Sequence, residues 1–158
     1  MNKNALLGLI AAVSLVVGAC SCGCNVKQGA GSFAPGTAED FETNVPNVVY
    51  FDFAKSNLLD SAKPRVDAQA AWLKTYTDAK AVVSGHTDVR GTAEYNMALG
   101  QARANTVVKA LEDQGVDASR LTPVSFGKER PVNTDTTEKA HAENRRTVTS
   151  VSQNRNVS

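Results

Sequence analysis

The stretch Ser84–Arg103, S-G-H-T-D-V-R-G-T-A-E-Y-N-M-A-L-G-Q-A-R, decides the fold, because its pattern passes from strand through turn to helix. Val82 and Val83 lead into it, and Gly85 and Gly91 bracket a short polar turn. Thr92 is suited to cap a helix, with Glu94 in the first turn where the helix dipole favours an acid. Asp88 is therefore expected at a strand end, close to the start of a helix.

Stepping about 100° per residue from Asn96 gathers Ala93, Met97, Gly100, Ala104, Val107, Val108 and Leu111 into one arc, the expected core face. Glu94, Gln101, Asn105, Lys109 and Glu112 lie opposite. Asn96 and Arg103 fall at the edge of the core arc, about 20° apart, with Leu99 beside them. A buried guanidinium without a partner is costly, so Arg103 must reach the surface or face a carboxylate, and Asp88 is the nearest candidate. Residue types leave two readings open. One is an ion pair bracing the loop; the other is a carboxylate and a guanidinium held apart, gripping a ligand that carries an ammonium and a carboxylate.

Thr87-Asp88 with Gly91, Tyr95-Asn96, Leu99 and Arg103-Ala104-Asn105 closely resemble the OmpA-like peptidoglycan-binding module, and within it the peptidoglycan-associated lipoproteins. Val49–Phe53 upstream, Ser125–Pro131 downstream and Asn144-Arg145-Arg146 extend the resemblance over about 45–151, in the family's order. It implies that Asp88 takes the ammonium and Arg103 a carboxylate of diaminopimelate in an uncrosslinked stem peptide, with Asn96, Leu99 and Phe53 framing the cleft. It also implies that one of Arg145 and Arg146 joins the site, and Arg146 is favoured. Ala54 departs from the family, whose lipoproteins often carry an acid there, which puts one hydrogen bond to the peptide in doubt or moves it to Asp52 or Asn57.

The beginning of the chain reads as an export signal: Lys3, an apolar run from Ala5 to Val17, then small residues before Cys20. That run is too short to span a bilayer comfortably. Val17-Gly18-Ala19-Cys20 resembles a bacterial lipobox, which implies lipidation of Cys20, and Ser21 after it favours the outer membrane. Residues 1–19 are then signal, 20–44 a tether rich in Gly, Ala, Ser and Thr, and 45–158 the domain. Phe33 and Phe41 within the tether could dock or float. Cys20, Cys22 and Cys24 are close enough to suggest a metal, but soft-metal sites usually take four ligands and no second Cys or His cluster follows. An incidental disulfide or extra acylation is therefore the reading, and neither metal nor cofactor is expected.

The chain has 17 basic and 16 acidic residues, 42% apolar content and 21% charge. Removing residues 1–19 takes away one base, Lys3, and no acid, so the remainder is neutral and gives no bulk electrostatic case for nucleic acid.

Val48–Phe53 reads as a strand with Val49, Phe51 and Phe53 on one face. Ser61 is a candidate cap for a helix with Pro64 in its first turn and Val66, Ala70, Leu73 and Tyr76 as core stripe. Ala81–Gly85, Leu121–Gly127 and Thr147–Val151 follow as strands, with Pro123 suggesting that the third begins late or bulges. Gly115 ends the site helix, and a helical turn is expected near Glu138–Glu143. The order predicts an α/β (α+β) sandwich: a mixed four-stranded sheet with helices packed on one face.

A hydrolase would draw on Asp52, His86, Asp88 and Glu94. His86 and Asp88 share a side, but His141 lies in a distant loop and no nucleophile stands on a strand-to-helix elbow, so no catalytic set is complete. A protein-interaction module is the other alternative. By the resemblance, such lipoproteins also engage a periplasmic β-propeller of the Tol envelope system through a surface overlapping the wall site.

Overall fold

The computed structural model describes residues 33–153. Elements follow in the order α1 Ala38–Asn44, β1 Val48–Tyr50, α2 Lys63–Thr75, β2 Ala79–His86, α3 Ala93–Asp113, β3 Leu121–Gly127, α4 Glu138–Asn144 and β4 Arg146–Gln153, with short 3-10 turns at Asp60–Ala62 and Ala118–Arg120. The sheet order is β1-β4-β2-β3. β4 runs antiparallel to both β1 and β2, whereas β2 and β3 are parallel and joined through α3. This is the expected mixed sheet. The expected export signal, residues 1–19, and Cys20 lie outside the described residues. Among those described, no helix is long and apolar enough to cross a membrane.

One face of the sheet is buried. Ala81, Val83 and Val151 alternate along it with half-buried or exposed Val82, Ser84 and Ser152 on the other, the period-2 geometry of a sheet covered on one side. Val66, Ala70 and Leu73 of α2 and Ala104, Val107 and Leu111 of α3 close the core. Gln69 is buried there too, donating to Pro46 O at 2.8 Å and accepting from Thr149 Oγ1 at 2.8 Å. Both ends of this buried amide are thus satisfied.

Helix α3 meets the sheet backbone to backbone. A Cβ on Gly85 would lie 1.9 Å from Gly100 O, and one on Gly100 would lie 2.4 Å from Ser125 Oγ. Only glycine permits this approach. Thr92 caps the helix by accepting from Tyr95 N at 3.2 Å. At the other end Gly115, at φ 90°, donates to Glu112 O at 2.8 Å.

Several expectations need correction. The domain begins before residue 45: Thr37 caps α1, and Phe41 is 0% exposed with its ring 4.9 Å from that of Trp72. The polar composition around Phe41 hid one core side chain. β1 stops at Tyr50, and Phe53 is 56% exposed instead of sharing the core face of Val49 and Phe51, because the chain turns at Ala54, whose φ is 55°. Ser61 does not cap α2; it lies in the preceding 3-10 turn, and Ala62 at the cap position makes no side-chain bond. β3 neither starts late nor bulges at Pro123, which pairs with Val83; as an edge strand it loses nothing by the missing N–H. The irregularity falls at Gly85/His86 instead. Ala93 and Met97 are exposed, although the helix already meets β3 at Met97, whose main-chain oxygen accepts from Ser125 Oγ at 2.8 Å.

Candidate functional site

A cleft of about 410 Å³, open solvent at its mouth included, lies where β2 gives way to α3. Phe53 and Ala54 line one side, Asp88, Arg90 and Gly91 another, and Tyr95, Asn96, Leu99 and Arg103 come from α3. Asp88, Arg103, Asn96, Leu99 and Phe53 therefore converge. Arg146 does not line it.

Arg103 differs from its expected pairing. Its guanidinium is 0% exposed, and its bonds go to three main-chain oxygens: Nε to Lys55 O at 2.9 Å, Nη1 to His86 O at 2.9 Å and Nη2 to Asp52 O at 3.0 Å. Carbonyls, not the Asp88 carboxylate, satisfy it. They belong to the β1–α2 connection and the end of β2, so one side chain joins three segments under the cleft. Burial pulls the guanidinium down to about 10, while the charge of Asp88 acts in the opposite direction. Arg103 stays a cation at neutral pH.

Asp88, 5% exposed, holds other arginines. Arg90 donates to Oδ2 from Nη2 at 2.6 Å and from Nε at 3.2 Å, and its backbone N reaches Oδ1 at 3.2 Å. Arg145 Nη1 lies 3.6 Å from the same Oδ2. Burial alone would raise the Asp88 carboxyl, but the hydrogen bonds from Arg90, then the charges of Arg90 and Arg145, hold it below the usual carboxylate range. The carboxylate is ionised, aimed at cations and fixed in place.

Asn96 positions this loop. Its Nδ2 donates to Arg90 O at 2.8 Å and to Thr92 O at 2.9 Å, and Lys128 Nζ donates to Gly91 O at 2.9 Å. Glu138 adds a further link, accepting from Arg145 Nη1 at 2.8 Å and from Arg90 Nη1 at 3.3 Å. Asp88, Arg90, Glu138 and Arg145 thus form a closed ring of alternating charge.

The arginine pair at the start of β4 divides opposite to expectation. Arg145 turns to Asp88 and Glu138, while Arg146 points to the open face of the sheet, opposite Tyr50 in register. Its guanidinium makes two long bonds there, 3.5 Å to Asn144 O and 3.4 Å to Arg130 O. Period-2 geometry places the two arginines on opposite faces without saying which faces the cleft. Arg90 and Glu138 were also missed. Arg90 was readable as a cation two residues from Asp88 in a tight turn; Glu138, remote in sequence, carried no such signal. Asp52, proposed as a substitute for the absent acid at position 54, pairs with Lys55 at 3.1 Å.

Residues 50–145 match the OmpA family. The chain belongs to the OmpA family. Among its relatives are peptidoglycan-associated lipoproteins of Mesorhizobium japonicum, 42% identical over 79% of this chain and 74% of that protein, and of Haemophilus influenzae, 40% identical over 94% and 98%. The crystal structure of the peptidoglycan-associated lipoprotein from Burkholderia pseudomallei superposes with a TM-score of 0.66 at 39% identity, covering 67% of this chain and 90% of that one. The mixed sheet and its helices are thus the OmpA-family fold.

Proposed function

We propose that this OmpA-family protein is an outer-membrane lipoprotein that binds the peptidoglycan stem peptide noncovalently and ties the membrane to the wall. The observation that carries the reading is the cleft itself, which brings a buried carboxylate, Asp88, and a buried guanidinium, Arg103, to one small space. A diaminopimelate side chain ends in an ammonium and a carboxylate, and the two groups match that pair in sign. Asp88 accepts the ammonium, Arg103 attracts the carboxylate, and Leu99 and Phe53 cover the aliphatic chain between them. The family membership and the names of the relatives support the wall as target, and lipidation at Cys20 supplies the membrane end. No covalent step is involved.

Exposed Phe53, Val89 and Tyr95 surround the same region. An apolar rim of this kind suits a protein partner, and the periplasmic β-propeller of the Tol envelope system is the partner this reading implies.

Sedimentation with purified peptidoglycan tests the wall reading. The wild type is expected in the pellet, with Asp88→Asn and Arg103→Ala, each shown to be folded, in the supernatant. A wild type that stays in solution, or variants that sediment equally well, would overturn it.

A further inference from the structure

The two charges assigned to the ligand are both shut from water, whereas the arginine that covers one of them is not. Arg90 keeps 40% of its side chain exposed while two of its nitrogens hold Asp88 Oδ2. Its guanidinium carbon lies 4.3 Å from the centre of the Phe53 ring, on the far side of the cleft, so the arm bridges the two walls. A third nitrogen reaches Glu138 from α4.

An ammonium approaching Asp88 competes with Arg90 for both carboxylate oxygens, Oδ2 held by its side chain and Oδ1 by its backbone N. A bare amine that displaces the arm leaves the guanidinium with one of its two anionic partners, the exposed Glu138. A ligand whose carboxylate is drawn into the same cleft by Arg103 also offers that anion to the displaced arm, which lines the cleft too, so the exchange conserves ion pairs. Glu138 keeps the arm at the mouth, where such a carboxylate arrives.

We propose that Arg90 is the specificity-determining residue of the cleft, yielding Asp88 to an ammonium only when the same ligand offers a free carboxylate. The proposal rests on the wall-binding reading above and adds a selection to it, exercised by Arg90: amidated ends and simple diamines are discriminated against.

The test uses the full chain in detergent and two stem tripeptides ending in diaminopimelate, one with the side-chain carboxylate free and one with it amidated. Wild type is expected to prefer the free acid about tenfold, the worth of one charged hydrogen bond. Arg90→Gln should bind the amidated peptide roughly fivefold more tightly than wild type, since a half-buried ion pair no longer has to be broken. Its preference for the free acid should shrink accordingly, with Arg90→Lys retaining part of it. An unchanged preference in Arg90→Gln overturns the proposal while leaving wall binding intact. Failure of wild type to bind either peptide overturns the wall-binding reading, and the role of Arg90 with it.

Discussion

Arg103 donates from Nη1 to the main-chain oxygen of His86, 2.9 Å away, and so fastens α3 to the end of β2 directly beneath the cleft. The same guanidinium holds Asp52 O and Lys55 O, which makes it a structural tie as well as the proposed carboxylate partner. A lysine ammonium keeps the charge but has no planar fork to reach three carbonyls in three directions. Arg103→Lys should therefore lower stability by about 3 kcal/mol, because buried acceptors lose a charged donor. A urea midpoint that falls with an unchanged slope would show it. A midpoint equal to wild type would mean that the carbonyl contacts contribute little.

Phe41 gives the second prediction. Its ring is wholly buried against Trp72, and Asp40 in the same short helix accepts from Trp72 Nε1 at 2.9 Å. Phe41→Ala should cost about 3–5 kcal/mol, the usual range for deleting a core aromatic. A chain beginning at Val45 should be destabilised similarly relative to one beginning at Phe33. Thermal unfolding of the two truncations, side by side, checks the boundary.

These cases show where the sequence was legible. Helix α3 could be read because cap, terminal glycine and the apolar period from Gly100 onward agree, and β3 could be read in extent although Pro123 signalled a bulge that the strand does not have. Phe41 could not, since a single core side chain in a polar segment has no period. The carbonyl cage of Arg103 was equally hidden: Asp52, Lys55 and His86 contribute main-chain atoms, and no residue type signals that. Arg145 and Arg146 were separable only by knowing which face of β4 the helices cover. The placing of Asp88 and Arg103 at one cleft came from resemblance, because residue types alone left a bracing ion pair equally open.

His86 makes stability depend on pH. The His86 and Phe126 rings stack at 5.5 Å, Arg130 lies over Phe126 at 3.8 Å, and Arg146 sits opposite Tyr50 in register. Burial first, then the charges of Arg146 and Arg130, push His86 down to about 4 from 6.5. The unfolded chain therefore takes up this proton more readily between those values. Stability from this residue is complete above pH 6.5 and is lost as pH falls towards 4, by at most about 3 kcal/mol. Urea midpoints across that window should fall less steeply for His86→Gln than for wild type; parallel curves would remove His86 as the cause.

The closest test of the architecture is at Gly85. Its added Cβ would meet Gly100 O at 1.9 Å, and that oxygen belongs to the backbone of a 21-residue helix that cannot step aside locally. Gly85→Ala must push α3 away from β2, stretching the bonds of Arg103 to His86 and of Ser125 Oγ to Met97 O, now 2.8 Å. A loss of about 3 kcal/mol is expected for overpacking of this kind. Because the displaced helix also carries Asn96, Leu99 and Arg103, retention on peptidoglycan should weaken even at temperatures where the variant remains folded. Near-native circular dichroism with reduced sedimentation would show that coupling, whereas full retention would mean that the cleft tolerates a shifted helix.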